Sequence, residues 1–164
     1  ALSRGNGQGG EGGAMPSHAE KRVLPWTAAQ MYALVADVAR YPEFLPWTSA
    51  ARIRSRTPRA DGAEVVEADL VISFKVFRER FGSRVTLLRG KNRILTEYID
   101  GPFKHLKSEW RFADRDGGCE VAFEVDFEFR NAILAGIIGV VFNEAMARVV
   151  RAFEGRAAKL YGAA

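Results

Sequence analysis

Apolar side chains recur every three or four residues along the last long segment of the chain, residues 131–161. This spacing places them on one face of an α-helix. Charged residues such as Glu144 and Arg151 lie off that face. The pattern therefore predicts one long amphipathic helix, whose apolar stripe consists of Leu134, Ile138, Val141, Ala145, Val149 and Ala152.

The first third of this helix differs from the rest, because residues 132–142 contain no polar side chain. A helical segment that is apolar on all sides needs partners on more than one side. The protein core, another protein, a lipid ligand or a membrane surface would each satisfy this need, and the pattern alone does not choose among them.

From residue 49 to residue 129 alternation of apolar and polar side chains dominates the pattern. The clearest alternating segment is 119–129, and glycine-containing turns such as Asp61-Gly62 separate the segments. Consecutive strands joined by short turns pair antiparallel, and a sheet with one apolar face is covered on that face only. The sequence thus predicts six consecutive strands that wrap the terminal helix.

Two short helices are predicted between a first strand, 17–24, and this sheet. Thr27 and Gln30 have the spacing of a capping box, while Pro42 and Pro46 interrupt the second helical segment. The predicted fold class is therefore α+β, with an antiparallel sheet of six to seven strands, two short helices after the first strand, and a long C-terminal helix.

The length of 164 residues favours a single domain. Residues 1–14 are rich in glycine, and we expect a flexible or cloning-derived leader there, followed by one ligand-binding domain over 15–164. We see no secretion signal or transit peptide after Met15 and no uninterrupted apolar run of about 18–20 residues, so we expect a cytoplasmic protein.

Composition excludes several classes of function. The net charge of +4 is modest, and we expect no DNA binding. One cysteine cannot form an internal disulfide, and with two histidines it cannot complete a four-ligand zinc site without carboxylates. We also find no phosphate-binding loop and no Ser-His-Asp pattern, and we expect a protein that is not an enzyme.

Four segments resemble the coenzyme-Q-binding family of the START-related polyketide cyclase/dehydrase superfamily, which also includes ribosome-association toxins. These segments are YPEFLPW at 41–47, FRERFGSRV at 77–85, GPFKHLKSEWRF at 101–112 and AFEGRAAKLY at 152–161. The resemblance implies a helix-grip fold around a hydrophobic cavity. It further implies binding of ubiquinone or a related isoprenoid lipid in that cavity and a supporting role in respiration. Since we see no transit peptide, we expect a bacterial member, and we expect no required cofactor. The apolar segment 132–142 could contact the inner membrane peripherally.

A quinone tail is apolar and would be removed from water by an apolar tunnel between sheet and helix. Glu79 is placed by strand parity on the inner face, where it could contact a quinone ring. The alternative for every residue of this set is an ordinary core position. The predicted ligand-binding residues are Phe44, Leu45, Trp47, Phe77, Glu79, Phe81, Phe103, Trp110, Leu134, Ile138 and Phe142.

A strand that we expect at a sheet edge carries three positive charges, from Arg52, Arg54 and Arg56. They could protect this edge against pairing with other chains, or contact anionic lipid headgroups or ribosomal RNA. Three functions are therefore open: a quinone-binding protein or chaperone, a ribosome-binding regulator of translation, and a cyclase-type enzyme that uses Glu79 or His105.

Overall fold

A computed structural model of the chain describes residues 3–4 and 17–162. The leader predicted for residues 1–14 falls outside the described residues except for Ser3–Arg4, which pair with Lys21 and Glu20. The strands are β1 (Ser3–Arg4), β2 (Ser17–Leu24), β3 (Thr48–Pro58), β4 (Glu64–Phe74), β5 (Phe77–Leu88), β6 (Arg93–Asp100), β7 (Phe103–Arg115) and β8 (Gly118–Phe129). The helices are α1 (Ala28–Ala36), α2 (Ala132–Tyr161) and two 3₁₀ helices, Val38–Glu43 and Arg89–Lys91.

All strands form one antiparallel sheet in the order β1-β2-β8-β7-β6-β5-β4-β3. Strands β3 to β8 follow one another as the predicted six-strand meander. Strand β2 pairs with β8 from Ser17 opposite Asp126 to Leu24 opposite Cys119, a long-range pairing that the local pattern did not specify. The predicted α+β helix-grip class is confirmed, and the two-residue β1 extends the sheet beyond β2.

Both α-helices begin at a capping side chain, of which the one at α1 was predicted. Thr27 and Gln30 form a reciprocal capping box at the start of α1. At the start of α2, the Asn131 side-chain oxygen accepts hydrogen bonds from the backbone N–H groups of Ile133 at 2.9 Å and Leu134 at 3.1 Å. This cap stabilises the apolar first turn, which has few other polar interactions available.

The buried face of α2 differs from the predicted stripe in its second half. Val149 and Ala152 are only half-buried, whereas Val150 and Phe153 are buried. The prediction followed the helical spacing through Val149 and Ala152, but the helix is rotated so that the large Phe153 ring packs in the core. Its centroid lies 5.0 Å from that of Trp110 on β7.

The first half of α2 is less buried than the prediction required. The helix contains an 18-residue window with a mean hydropathy of 1.8, of which only 22% is buried. By length and composition it could cross a membrane, a property that our search for uninterrupted apolar runs missed. Core helices of soluble proteins meet the same criterion, so this observation by itself is weak.

Most of the space between sheet and helix is filled by aromatic rings. Phe103 is 2% exposed and stacks on Phe129 with a centroid distance of 4.6 Å. Phe81, Tyr98 and Phe127 surround it edge-on. The sequence left open whether the space between sheet and helix is filled, and in the middle of the domain these aromatic rings fill it.

Candidate functional site

A cavity of about 100 Å³, partly open to solvent, remains at one end of the domain between the β4–β5 hairpin and the first half of α2. Eleven of its twelve lining residues have apolar side chains, and Glu79 is the exception. An enclosed apolar cavity of roughly 150 Å³ binds benzene, so this smaller, partly open space encloses part of a ring or one short branched-chain group. The lining residues are Trp47, Ile72, Phe74, Phe77, Glu79, Phe127, Phe129, Leu134, Ile138, Val141, Ala145 and Met146.

The structure brings five of the predicted ligand-binding residues to this cavity. Phe77 and Glu79 come from β5, and Leu134 and Ile138 come from α2. Trp47 reaches it from the turn that precedes β3. These residues are far apart in sequence, and the hairpin, the turn and the helix position them around one space.

Four other predicted residues lie in the packed core and do not line the cavity. Phe81, Phe103, Trp110 and Phe142 are all buried. The Phe142 ring packs edge-on against Phe127 at 5.0 Å between centroids. These four do not reach the cavity because inward-facing aromatic rings fill the centre of the fold and contact one another.

Phe44 and Leu45 also lie away from the cavity. The Phe44 ring packs on Phe153 at 5.3 Å between centroids, and the Arg156 guanidinium lies 5.3 Å from its centre. Leu45 is half-buried against the core. This part of YPEFLPW therefore closes the core near the second half of α2, and only Trp47 extends to the cavity rim.

The backbone of Trp47 adopts a left-handed conformation, with φ of 63°. Such a conformation is unfavourable for a bulky side chain and persists where the surroundings hold it. The Trp47 carbonyl accepts a 2.8 Å hydrogen bond from the Ser73 N–H, which ties the turn to β4. The sequence singled out the indole but not this strained backbone.

Cross-strand register explains which lining residues our prediction omitted. Ile72 pairs with Glu79, and Phe74 pairs with Phe77, so each shares a face with a predicted residue. Val141 and Ala145 belong to the predicted helix stripe. Strand parity combined with hairpin register would have identified Ile72 and Phe74, whereas Met146 carried no signal.

Among the residues that the structure describes, Glu79 is the only ionisable group on the cavity wall, and its side chain is half-buried. Within residues 17–162 it forms no ion pair. An ionised carboxylate accepts hydrogen bonds, whereas a protonated one can also donate. The wall therefore offers one polar contact in otherwise apolar surroundings, which is the composition typical of small-molecule pockets.

The three arginines of β3 lie on an edge strand, as predicted, but two of them are paired. Arg54 donates to Asp69 at 2.9 Å, and Arg56 donates to Glu64 at 3.0 Å. The Arg54 guanidinium, helped by Arg80, lowers the pKa of Asp69 from its ordinary value of 3.8. Arg52 is exposed and has no ion-pair partner among the described residues. Most of this charge is thus compensated within the sheet.

The groups considered for catalysis do not converge. His105 lies 3.0 Å from Asp126, a pair on the polar face of the sheet, away from the cavity. Burial raises the pKa of the Cys119 thiol to about 11, so it remains protonated. Within residues 3–4 and 17–162, no group of three His, Cys, Asp or Glu side chains could hold a metal ion.

Comparison with known proteins places this geometry in a family. Residues 24–154 match the family described as polyketide cyclase / dehydrase and lipid transport. The chain is 38% identical to the ribosome association toxin RatA of Rickettsia prowazekii, over 87% of this chain and 97% of that protein. It is 31% identical to the mitochondrial coenzyme Q-binding protein COQ10 homolog B of Xenopus laevis, over 88% of this chain and 59% of that protein.

Among solved structures, the 18 kDa protein CC1736 from Caulobacter crescentus superimposes with a TM-score of 0.75. The two are 32% identical, and the alignment covers 91% of this chain and all of that one. The resemblance seen in the four sequence segments is therefore confirmed. The chain belongs to the polyketide cyclase / dehydrase and lipid transport family, whose members include ribosome-association toxins and coenzyme-Q-binding proteins.

Proposed function

We propose that this protein binds ubiquinone or a related isoprenoid lipid in the cavity, as a quinone-binding protein or chaperone that supports respiration. The single observation that carries the proposal is the apolar wall, in which eleven side chains enclose space next to one carboxylate. Burial of isoprenoid carbons there would gain roughly 25 cal/mol for each Å² removed from water.

The chemistry of the ligand is compatible with this wall. Isoprenoid carbons need no polar partner, and Glu79 supplies one hydrogen-bonding group for a ring substituent. The cavity of about 100 Å³ encloses only part of such a ligand. The remainder would extend through the open side. We propose a ligand-binding role without catalysis and without a required cofactor, at the cytoplasmic face of the inner membrane.

Co-purification tests this function directly. Protein isolated from cells would be extracted with organic solvent, and the extract analysed for quinones by mass spectrometry. Ala145→Leu, which fills the cavity, is the matched control and should carry little quinone. Saturation with a short-chain ubiquinone analogue at 100 times its Kd should add about 2.7 kcal/mol of stability. The proposal would be refuted if no quinone were extracted from either the unmodified protein or Ala145→Leu and the analogue did not stabilise the unmodified protein.

Ribosome association is a second candidate, because the relative from Rickettsia prowazekii carries that name at 38% identity. Arg52 is exposed and unpaired among the described residues, so it is the arginine of β3 best able to contact phosphate. Sedimentation with large ribosomal subunits at two salt concentrations, for the unmodified chain and Arg52→Glu, tests this role. Co-sedimentation that changes neither with the salt concentration nor with Arg52→Glu would argue against this role.

An enzymatic role is a third candidate, since the family description includes cyclases and dehydrases. Shared fold alone is weak support for shared chemistry. Glu79→Gln and His105→Gln would test it through growth of the producing cell. Full cellular function in both variants would count against catalysis.

A further inference from the structure

Two apolar residues near the start of α2 are exposed to solvent. Ile133 is 70% exposed and Val140 is 87% exposed. They lie about two helical turns apart, on a strip roughly 100° around the helix from the cavity-facing Leu134 and Val141. We call this strip, with the exposed Gly136 between them, the α2 strip. Burial of the α2 strip requires a partner outside the described domain.

The β4–β5 turn presents a third exposed apolar side chain. Val76 is 93% exposed, and the preceding Lys75 has a left-handed backbone, with φ of 53°. Lys75 and Arg78 flank Val76, and both are exposed. The turn therefore offers an apolar tip between two cations.

The α2 strip and this turn lie on either side of the same cavity. Phe74 and Phe77, which precede and follow the turn, line it from the sheet. Leu134 and Val141, which neighbour Ile133 and Val140 in sequence, line it from α2. The exposed apolar groups are thus sequence neighbours of residues on both walls of the cavity.

The unpaired charges of the described residues near this cavity are mostly positive, with the Glu79 carboxylate on its wall as the exception, so their balance favours an anionic partner. Neither Lys75 nor Arg78 forms an ion pair with any described residue, in contrast to the paired arginines of β3. Arg130, at the start of α2, uses its Nε to donate to the Phe103 carbonyl at 2.9 Å, and it too has no carboxylate partner in the described chain. The first turn of α2 contains no acidic residue.

An apolar surface rimmed by unpaired cations matches the interface of a bilayer that contains anionic lipid. The 18-residue window of α2 has the hydropathy of a membrane segment but is only 22% buried, so the protein itself covers little of it. A protein partner with acidic residues would fit the charges, but it would not explain why the surface adjoins an apolar cavity.

We propose that this protein docks on anionic phospholipid bilayers through the α2 strip and the Lys75–Arg78 turn, with the cavity opening toward the membrane. The proposal rests on the proposed function only in assigning the cavity to a lipid. In the docked orientation Ile133, Val140 and Val76 enter the headgroup region, and Lys75 and Arg78 contact phosphates. A ligand would then pass between bilayer and cavity without crossing water.

Vesicle flotation tests the docking. Vesicles of phosphatidylcholine alone would be compared with vesicles that also contain phosphatidylglycerol, both without quinone. We expect binding to the mixed vesicles that weakens with salt. Ile133→Ser/Val140→Ser should reduce binding on the order of tenfold or more. Lys75→Gln/Arg78→Gln should reduce binding by about fivefold for each cation removed.

Matched controls separate docking from general effects on charge and hydrophobicity. Leu160→Ser removes a 52% exposed apolar residue at the other end of α2, and Arg89→Gln/Lys91→Gln removes two cations at the opposite end of β5. Neither should change binding. Equal losses in the control and test variants would overturn the proposal, as would a dimer in solution that Val140→Ser converts to monomer.

The outcomes distinguish this inference from the proposed function. A short-chain ubiquinone analogue that binds the unmodified protein in the absence of vesicles would support the cavity as a ligand site whatever the flotation result. Retention of analogue binding in Ile133→Ser/Val140→Ser, with loss of flotation, is the result expected if docking and ligand binding use separate residues. Flotation unaffected by any of the test substitutions would refute docking and leave ligand binding intact.

Discussion

The indole of Trp47 stands edge-on to the ring of Phe74, with centroids 6.1 Å apart and planes inclined by 79°. Both side chains line the cavity. This contact joins the turn before β3 to the end of β4 at the cavity wall. The emission of Trp47 should therefore respond to whatever occupies the cavity.

Trp47→Phe should remove most of the fluorescence quenching that a ubiquinone analogue causes. The reason is that Trp110 is buried in the packed core and Trp26 lies near the C-terminal end of α2, where its Nε1 donates to the Gly162 carbonyl at 2.9 Å. Titration with the analogue, followed by tryptophan emission, measures the effect. Trp26→Phe is the control and should retain the quenching, and quenching that survives in Trp47→Phe would place the ligand elsewhere.

Ala145→Leu should be tolerated, whereas the same change at Ala157 should not. Ala145 borders the cavity, so additional methyl groups occupy free space and raise the free energy of unfolding by about 1 kcal/mol or leave it unchanged. Ala157 is fully buried, and overpacking there should cost about 1–3 kcal/mol. Urea denaturation of both variants measures the difference, and equal losses would mean that no free space adjoins Ala145.

Phe103→Ala and Phe77→Ala should separate stability from ligand binding. Phe103 is buried among four aromatic rings, so its truncation should lower the free energy of unfolding by about 3–5 kcal/mol. Phe77 is half-buried at the cavity, and its truncation should cost about 1–2 kcal/mol but abolish most analogue binding. Denaturation and analogue titration test the pair. A Phe77→Ala variant with unchanged affinity would contradict the site.

Asp69→Asn should destabilise the protein at neutral pH but not in acid. The pKa of Asp69 is lowered below 3.8 by Arg54 first and also by Arg80, so its ionised form adds stability above the unfolded-state pKa. That contribution disappears as the pH falls through the folded-state pKa. We expect a loss of about 1 kcal/mol near neutral pH, declining toward zero in acid.

Urea denaturation across this pH range measures the effect for Asp69→Asn. Glu97→Gln is its control, since Glu97 is exposed and has no ion pair among the described residues. A difference between the Asp69 variant and the unmodified chain that persists below the folded-state pKa would show that the ion pairs are not its source.

Local patterns were sufficient to predict the elements of the fold. The capping box at Thr27, the Asn131 boundary of α2 and the alternation along β8 are each determined by neighbouring residues, and the structure has them as predicted. The pairing of β2 with β8 joins segments about a hundred residues apart, so short-range periodicity could not specify it.

The candidate site was only partly predictable, because alternation identifies which side chains face inward but not which of them touch. Phe103 and Phe77 carry the same inward signal, yet one is surrounded by rings and the other borders open space. The difference depends on where α2 begins relative to the sheet. That position is a property of the three-dimensional packing and is absent from any single segment.

In the second half of α2, Phe153 and Ala157 pack in the core, whereas Leu134, Ile138 and Ala145 in the first half line the cavity. If the cavity holds the proposed ligand, we expect selectivity to depend on the wall residues and stability to depend mainly on the core residues of the same helix. A homologue with different residues on the cavity wall could therefore prefer a different ligand and still have the same fold. Laboratory evolution of new binding preferences should accordingly begin with the wall positions and leave the core residues unchanged.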